Sequence, residues 1–252
     1  MVVDTILFGD CRETLKEFDG KARTCVTSPP YYGLRDYGGE ESQIGQEQTP
    51  EEYIQNLVEV FRSVRDVLTD DGTLWVNIGD SYYNYRPGKG QALPKQTVSK
   101  TKQDLPDKCA KRGNKLEGLK EKDLIGIPWM LAFALRADGW YLRQDIIWHK
   151  PNPMPESVKD RCTKSHEYIF LLSKNRKYYY NNEAIKEPVK QDWGTRDRTK
   201  GKYHNPGTGL VPHSGLSKSY DRKNKRDVWT VTNKPYKGAH FAVYPPDLIE
   251  PC

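Results

Sequence analysis

Apolar residues recur at helical spacing between Thr49 and Leu68, at Tyr53, Leu57, Val60, Phe61, Val64, Val67 and Leu68. Thr49-Pro50-Glu51-Glu52 just ahead of them is a helix start: a threonine cap, a proline in the first turn, and acids facing the positive end of the helix dipole. Asp70-Asp71-Gly72 reads as its stop. Elsewhere the apolar residues form short runs bounded by Gly, Pro and Asp, as strands do. These runs are Thr5-Ile6-Leu7-Phe8 ending at Gly9-Asp10, Ala22 to Thr27, Thr73 to Ile78 closed by Gly79-Asp80, Trp140 to Trp148, and Tyr168 to Leu172. Shorter helices are predicted over Cys11 to Phe18 and Pro128 to Leu135, the second ended by Gly139. Strands alternating with helices predict an α/β fold with a mostly parallel sheet and helices on both faces.

Two stretches break the rhythm. From Arg86 to Lys122 lysines dominate (Lys89, Lys95, Lys100, Lys102, Lys108, Lys111) and large apolar residues are scarce, so the stretch cannot offset its own ordering entropy and reads as a loop. From Asn182 to about Arg226 basic residues are interleaved with Trp193, Tyr203 and Tyr220, the mixture a nucleic-acid surface needs for phosphates and bases. The overall balance, 40 Lys+Arg against 34 Asp+Glu, is compatible with a polyanionic partner without requiring one. A chain of 252 residues can hold one domain, with or without an insertion. Neither a membrane-length apolar run nor a signal-peptide pattern is present, and a soluble cytoplasmic protein is expected. Cys11, Cys25, Cys109, Cys162 and Cys252 contain no CxxC pair, and the five histidines lack ligand spacing, so neither a disulfide framework nor a metal is expected.

The candidate chemistry lies where the second strand runs out, at Ser28-Pro29-Pro30-Tyr31. Neither proline can donate to a sheet ladder, and together they freeze an extended corner whose carbonyl directions are fixed. With a hydroxyl before it and an aromatic ring after it, the corner suits an exocyclic amine on a flat base. A strand ending in a proline turn with a surface tyrosine is the structural alternative.

The order of Gly9-Asp10, Thr27 to Tyr31, Asn77-Ile78-Gly79-Asp80-Ser81-Tyr82 and Ile147-Trp148-His149-Lys150-Pro151-Asn152 resembles the amino-methylating DNA methyltransferases, and more narrowly their circularly permuted beta group from phage and restriction-modification systems. Gly238 to Leu248 adds a fifth block, similar to the one that precedes the cofactor-binding glycine loop in that group. The resemblance covers essentially the whole chain outside the two basic stretches. It implies a Rossmann-like, S-adenosylmethionine-dependent core over residues 1–181, with a basic loop at about 86–122. A target-recognition region for double-stranded DNA would occupy 182–233, and the start of the cofactor-binding half 234–252. Ser28 and the Pro29 carbonyl would accept the amine hydrogens, Pro30 would stiffen the corner, and Tyr31 would stack on a flipped-out base. The methyl would pass directly, with neither metal nor covalent intermediate. Serine at the first motif position implies N4 of cytosine over N6 of adenine. Asp10 is expected near the cofactor adenine, or as an ordinary N-cap. Asp80 and Ser81 would border the cofactor pocket, and His240, Phe241 and Ala242 would line it, or pack in the core.

The chain departs from that group in one respect: it contains no Phe-x-Gly-x-Gly. Gly38-Gly39, Gly88-Lys89-Gly90 and Gly207-Thr208-Gly209 are not set between a strand and a helix. The sheet is therefore expected to be incomplete, with an exposed edge, and a second chain is expected to supply the missing half. A catalytically inactive DNA-binding remnant is the rival reading; methylation of a protein glutamine or an RNA amine is a third. Pro251-Cys252 is set aside as a nucleophile because the cysteine is not inside a loop.

Overall fold

The computed structural model describes residues 5–34, 43–83, 116–189, 196–197, 216–217, 221–234, 236 and 243–252. It divides into a unit made of Met1–Tyr179 with Asp227–Cys252, and a second made of Tyr180–Arg226.

In the first unit, α1 (Cys11–Thr14), β1 (Ala22–Thr27), α2 (Pro50–Val67), β2 (Leu68–Ile78), α3 (Ile127–Ala137), β3 (Tyr141–His149) and β4 (His166–Ser173) follow in turn. Among its described residues the second unit holds four two-residue strands, β5 (Glu187–Pro188), β6 (Arg196–Asp197), β7 (Leu216–Ser217) and β8 (Arg222–Lys223), paired antiparallel as β5–β8 and β6–β7. Arg226 and Glu187 form an ion pair within it. The chain closes in the first unit with β9 (Val228–Thr230) and α4 (Pro246–Ile249).

The main sheet has the order β1-β2-β4-β3-β9. β1 is parallel to β2 and β3 to β9, while β4 runs antiparallel to both its neighbours. Four strands thus share one direction and β4 alone is reversed, so the sheet is mostly parallel as expected. Alternate residues of β2 serve two cores. Leu74, Val76 and Ile78 join Phe170 and Leu172 under α2 and α3, whereas Trp75 joins Ile146, Trp148, Ile169, Leu171, Trp229 and Leu248 on the opposite face. Burial on both faces is why these strands read as unbroken apolar runs. The second face is covered by Trp229 and the short α4; among the described residues no long helix lies there.

Local signals act as their chemistry dictates. Thr49 caps α2 by accepting from the Glu52 amide at 3.1 Å, and the Glu52 carboxylate accepts in return from the Thr49 amide at 3.3 Å. Gly139, with φ of 101°, ends the chain's turn out of α3.

Three expectations fail. Thr5 to Phe8 forms no strand; Ile6, Leu7 and Phe8 are 75%, 51% and 88% exposed, and a strand without a neighbour to pair with gains no ladder. The helix after Gly9-Asp10 spans only Cys11–Thr14, with no buried residue to hold a longer one. Asp70-Asp71-Gly72 does not separate α2 from β2, since Leu68 is already extended and fully buried. Ala22 pairs with Leu68 and Thr24 with Thr73, so residues 69–72 bulge opposite Arg23, and the turn tendency appears as a bulge within β2. Among the described residues no helix is long and apolar enough to cross a membrane.

Candidate active site

The carboxyl ends of β1, β2 and β3 and the amino end of the reversed β4 meet at one edge of the sheet. That edge carries Ser28 to Tyr31 after β1, Gly79 to Ser81 after β2, Lys150 after β3, and His166-Glu167 at the start of β4. Open parallel sheets bind ligands at this edge.

The diproline corner is held from below. Pro29 is buried, and the carbonyl of Pro30 accepts a 2.8 Å hydrogen bond from the hydroxyl of Tyr53, a fully buried residue of α2. Burial pushes the Tyr53 hydroxyl far above its ordinary value, so it remains a donor. Among the described residues nothing donates to the Pro29 carbonyl.

Tyr31 is the hub of a polar cluster. Its hydroxyl donates to Glu167 Oε2 at 2.7 Å and lies 3.2 Å from Asn77 Oδ1; the Ser28 hydroxyl points towards it at 3.5 Å. Asn77 donates to Glu167 Oε2 and to the Tyr168 carbonyl, each at 3.1 Å. Lys150 pairs with Glu167 Oε1, and its amine sits 4.1 Å from the centre of the Trp148 ring. Burial first, and then the Glu167 charge, raise the Tyr31 hydroxyl well above its ordinary value. The Tyr31 ring lies so close to Gly79 that a Cβ there would meet Cε2 at 2.5 Å. Nearby, burial lowers Lys164, and burial followed by the Lys164 charge lowers His166.

The acids expected on the cofactor side are otherwise engaged. Asp10 caps α1 by accepting from the Arg12 amide at 2.9 Å, and it also pairs with the Arg12 guanidinium. Hydrogen bonding to Arg12 lowers its carboxyl to about 2. Asp80 caps α3 from a distance: its carboxylate accepts from the amides of Gly126 at 3.0 Å and Ile127 at 3.1 Å, as well as from Ser81 at 2.9 Å. Gly126, the N-cap residue, has no side chain to do this. The Ser81 carbonyl accepts from Ile125 at 3.0 Å. His240, Phe241 and Ala242 lie outside the described residues. So do Trp193, Tyr203, Tyr220 and most of the lysine-rich stretch.

The structure thus brings Ser28, Pro29, Pro30 and Tyr31 together with residues to which the sequence assigned no role: Tyr53, Asn77, Gly79, Lys150 and Glu167. Asn77, Gly79 and Lys150 sat inside recognised blocks. Glu167 had one signal of its own, a charge at the start of an otherwise apolar strand. Burial pushes the Cys252 thiol up to about 12, away from the thiolate form that a nucleophile needs near neutral pH. Among the described residues no group of His, Cys, Asp and Glu could hold a metal.

The fold and site define an α/β protein that presents a rigid proline corner, a hydroxyl and an aromatic ring at the carboxyl edge of its sheet. Comparison with known proteins narrows the class. A model of the DNA methylase family matches residues 22–252. The chain is 47% identical over 253 residues to the Type II methyltransferase M.SmaI of Serratia marcescens, covering 98% of this chain and 73% of the relative. It is also 47% identical over 249 residues to the Type II methyltransferase M.Cfr9I of Citrobacter freundii, covering 98% of this chain and 71% of the relative. Among solved structures it is similar to the PvuII cytosine-N4-specific DNA methyltransferase, at 15% identity and a TM-score of 0.47, over 92% of this chain and 58% of that one. The chain belongs to the DNA methylase family.

Proposed function

We propose that this chain is the base-binding and catalytic part of an S-adenosylmethionine-dependent methyltransferase of the restriction-modification kind, acting on the exocyclic N4 amine of cytosine in duplex DNA. The observation that carries the reading is the corner itself: a hydroxyl, a tethered aromatic ring, and a Pro29 carbonyl to which nothing donates among the described residues, at the carboxyl edge of the sheet.

The amine is a poor nucleophile because its lone pair is delocalised into the ring. Hydrogen bonds from its two hydrogens to Ser28 Oγ and the Pro29 carbonyl favour a pyramidal nitrogen, and fixed acceptors need no reorganisation as charge develops. Tyr31 supplies a face for a base rotated out of the duplex. S-adenosylmethionine supplies an electrophilic sulfonium methyl. Asp10 and Asp80, expected near it, cap helices, and His240, Phe241 and Ala242 lie outside the described residues. No Phe-x-Gly-x-Gly occurs in these 252 residues, and a second chain that supplies such a loop is part of the proposal. Serine in place of aspartate at the corner favours cytosine over adenine.

The test is transfer of tritiated methyl groups from S-adenosylmethionine to duplex DNA, by this chain alone and mixed with the part of the Serratia relative that it does not match, followed by nucleoside analysis. N4-methylcytosine in the product, lost in Ser28→Ala and Tyr31→Ala chains that still fold, is the expected result. Label in N6-methyladenine would change the target assignment. Absence of label in every mixture would leave a DNA-binding remnant.

A further inference from the structure

We infer that Glu167, fixed by Lys150 and Asn77, is a positioning residue that holds Tyr31 and through it turns the Ser28 hydroxyl so that its lone pairs face the incoming amine. The inference rests on the reading of Ser28 as an amine acceptor and adds to it the device that makes it one.

A serine hydroxyl is both donor and acceptor, and its rotor is otherwise free. At this corner the rotor has a partner. Tyr31 has a single proton, and the nearer acceptor for it is Glu167 Oε2, at 2.7 Å against 3.2 Å for Asn77 Oδ1. With that proton committed, the Tyr31 oxygen faces Ser28 as an acceptor, 3.5 Å away. Ser28 donates towards it and keeps its lone pairs for the substrate. Burial keeps the Tyr31 hydroxyl protonated, so the direction of the chain does not reverse. Glu167 can serve because it is fixed twice over. Lys150 holds Oε1, and the Asn77 amide bridges Oε2 to the Tyr168 carbonyl. Both members of the ion pair are largely buried, with side chains 16% and 17% exposed, so salt screens it little. The acid comes from the start of β4, the one reversed strand, and reaches Tyr31 across 136 positions of sequence.

The experiment is a double-mutant cycle of Glu167→Gln and Tyr31→Phe, assayed as above in the mixture that is active. Each single change is expected to lower kcat about 10- to 100-fold with little change in the KM for DNA, as losing one charge-assisted hydrogen bond from the reacting geometry does. The double variant is expected to be no slower than Tyr31→Phe alone, since the acid acts through the tyrosine. Multiplying losses would mean an independent, structural role and would overturn the inference. The Glu167→Gln, Lys150→Met pair separates stability from position: neutral on both sides, it should regain the wild-type melting temperature but not the rate. Recovery of both would also overturn it. A readout free of activity is the fluorine resonance of 3-fluorotyrosine at position 31, which Glu167→Gln must move; a fixed resonance sinks the proposal. A wild-type mixture that labels no DNA, with a resonance that does move, would instead refute the functional reading and leave the clamp in place.

Discussion

Gly79→Ala adds one methyl group and tests the corner without touching any hydrogen-bonding atom. That methyl would stand 2.5 Å from Cε2, 3.0 Å from Cδ2 and 3.3 Å from Cζ of Tyr31. Carbon atoms settle no closer than about 3.5 Å, so the ring must retreat by about 1 Å. Its hydroxyl is 2.7 Å from Glu167 Oε2, and a shift of that size along the bond exceeds hydrogen-bond reach. Overpacking of this kind costs about 1–3 kcal/mol of stability. The effect on rate should be larger relative to its cause, because a misplacement of about 1 Å at a reacting centre can lower turnover about 100-fold. Denaturant unfolding measures the first quantity and tritiated methyl transfer the second. A Gly79→Ala enzyme that loses stability but keeps its turnover would show that the Tyr31 ring need not sit where it does. One that loses neither would show that the close approach to Gly79 is not a constraint.

Asp80→Ala removes the acceptor for the first amides of α3 and should cost about 1–2 kcal/mol in a denaturant melt, with S-adenosylmethionine affinity per folded molecule unchanged. Weakened cofactor binding at full stability would assign Asp80 to the cofactor pocket rather than to the helix start. Asp10 is held at about 2 against an ordinary 3.8, so its folded value is depressed; its stabilisation is present above pH 3.8 and is lost as the pH falls towards 2. With 37% of the side chain exposed the contribution is screened to under about 1 kcal/mol, and Asp10→Asn should flatten the acid limb of stability by no more than that. An unchanged limb between pH 4 and 2 would contradict the assignment. Cys252→Ala should methylate as well as the wild type, because a thiol raised to about 12 by burial is not a nucleophile near neutral pH. Loss of transfer in that variant would reopen a covalent route.

What the sequence made legible was local. The capping box of α2, the Thr73 to Ile78 part of β2 and the stiff corner at Ser28 to Tyr31 depend on neighbours a few residues apart, and each stands in the structure where the pattern placed it. What stayed hidden depends on partners far along the chain. Thr5 to Phe8 has the composition of a strand, yet strand formation is a property of a pair, and no pairing forms for it among the described residues. Asp80 stands at the ligand edge, but its second task, capping a helix start 46 positions away at Gly126, was not legible. Gly72 looked like a stop, and became the end of a bulge only because Leu68 was already claimed by the core.

The direction of β4 is the clearest case, and the site depends on it. The apolar run Tyr168 to Leu172 encodes burial but not polarity of direction, so the eight-residue strand His166–Ser173 could equally have joined the sheet parallel to its neighbours. In that arrangement the strand's last residues, Leu172 and Ser173, would have stood at the edge beside Ser28, and Glu167 would have been carried to the far end. Reversal places the first residues of β4 against the last of β2 and β3, as the pairings of Ile78 with Tyr168 and of His149 with His166 show. A charge at the start of β4 is thereby brought under a ring that follows β1. The Lys150 side chain, arriving from the end of β3, then neutralises that charge where water is largely excluded. A purely parallel sheet offers its ligand edge only residues that follow strands. One reversed strand adds a residue that precedes the apolar run, and in this chain that residue is the acid on which the corner turns.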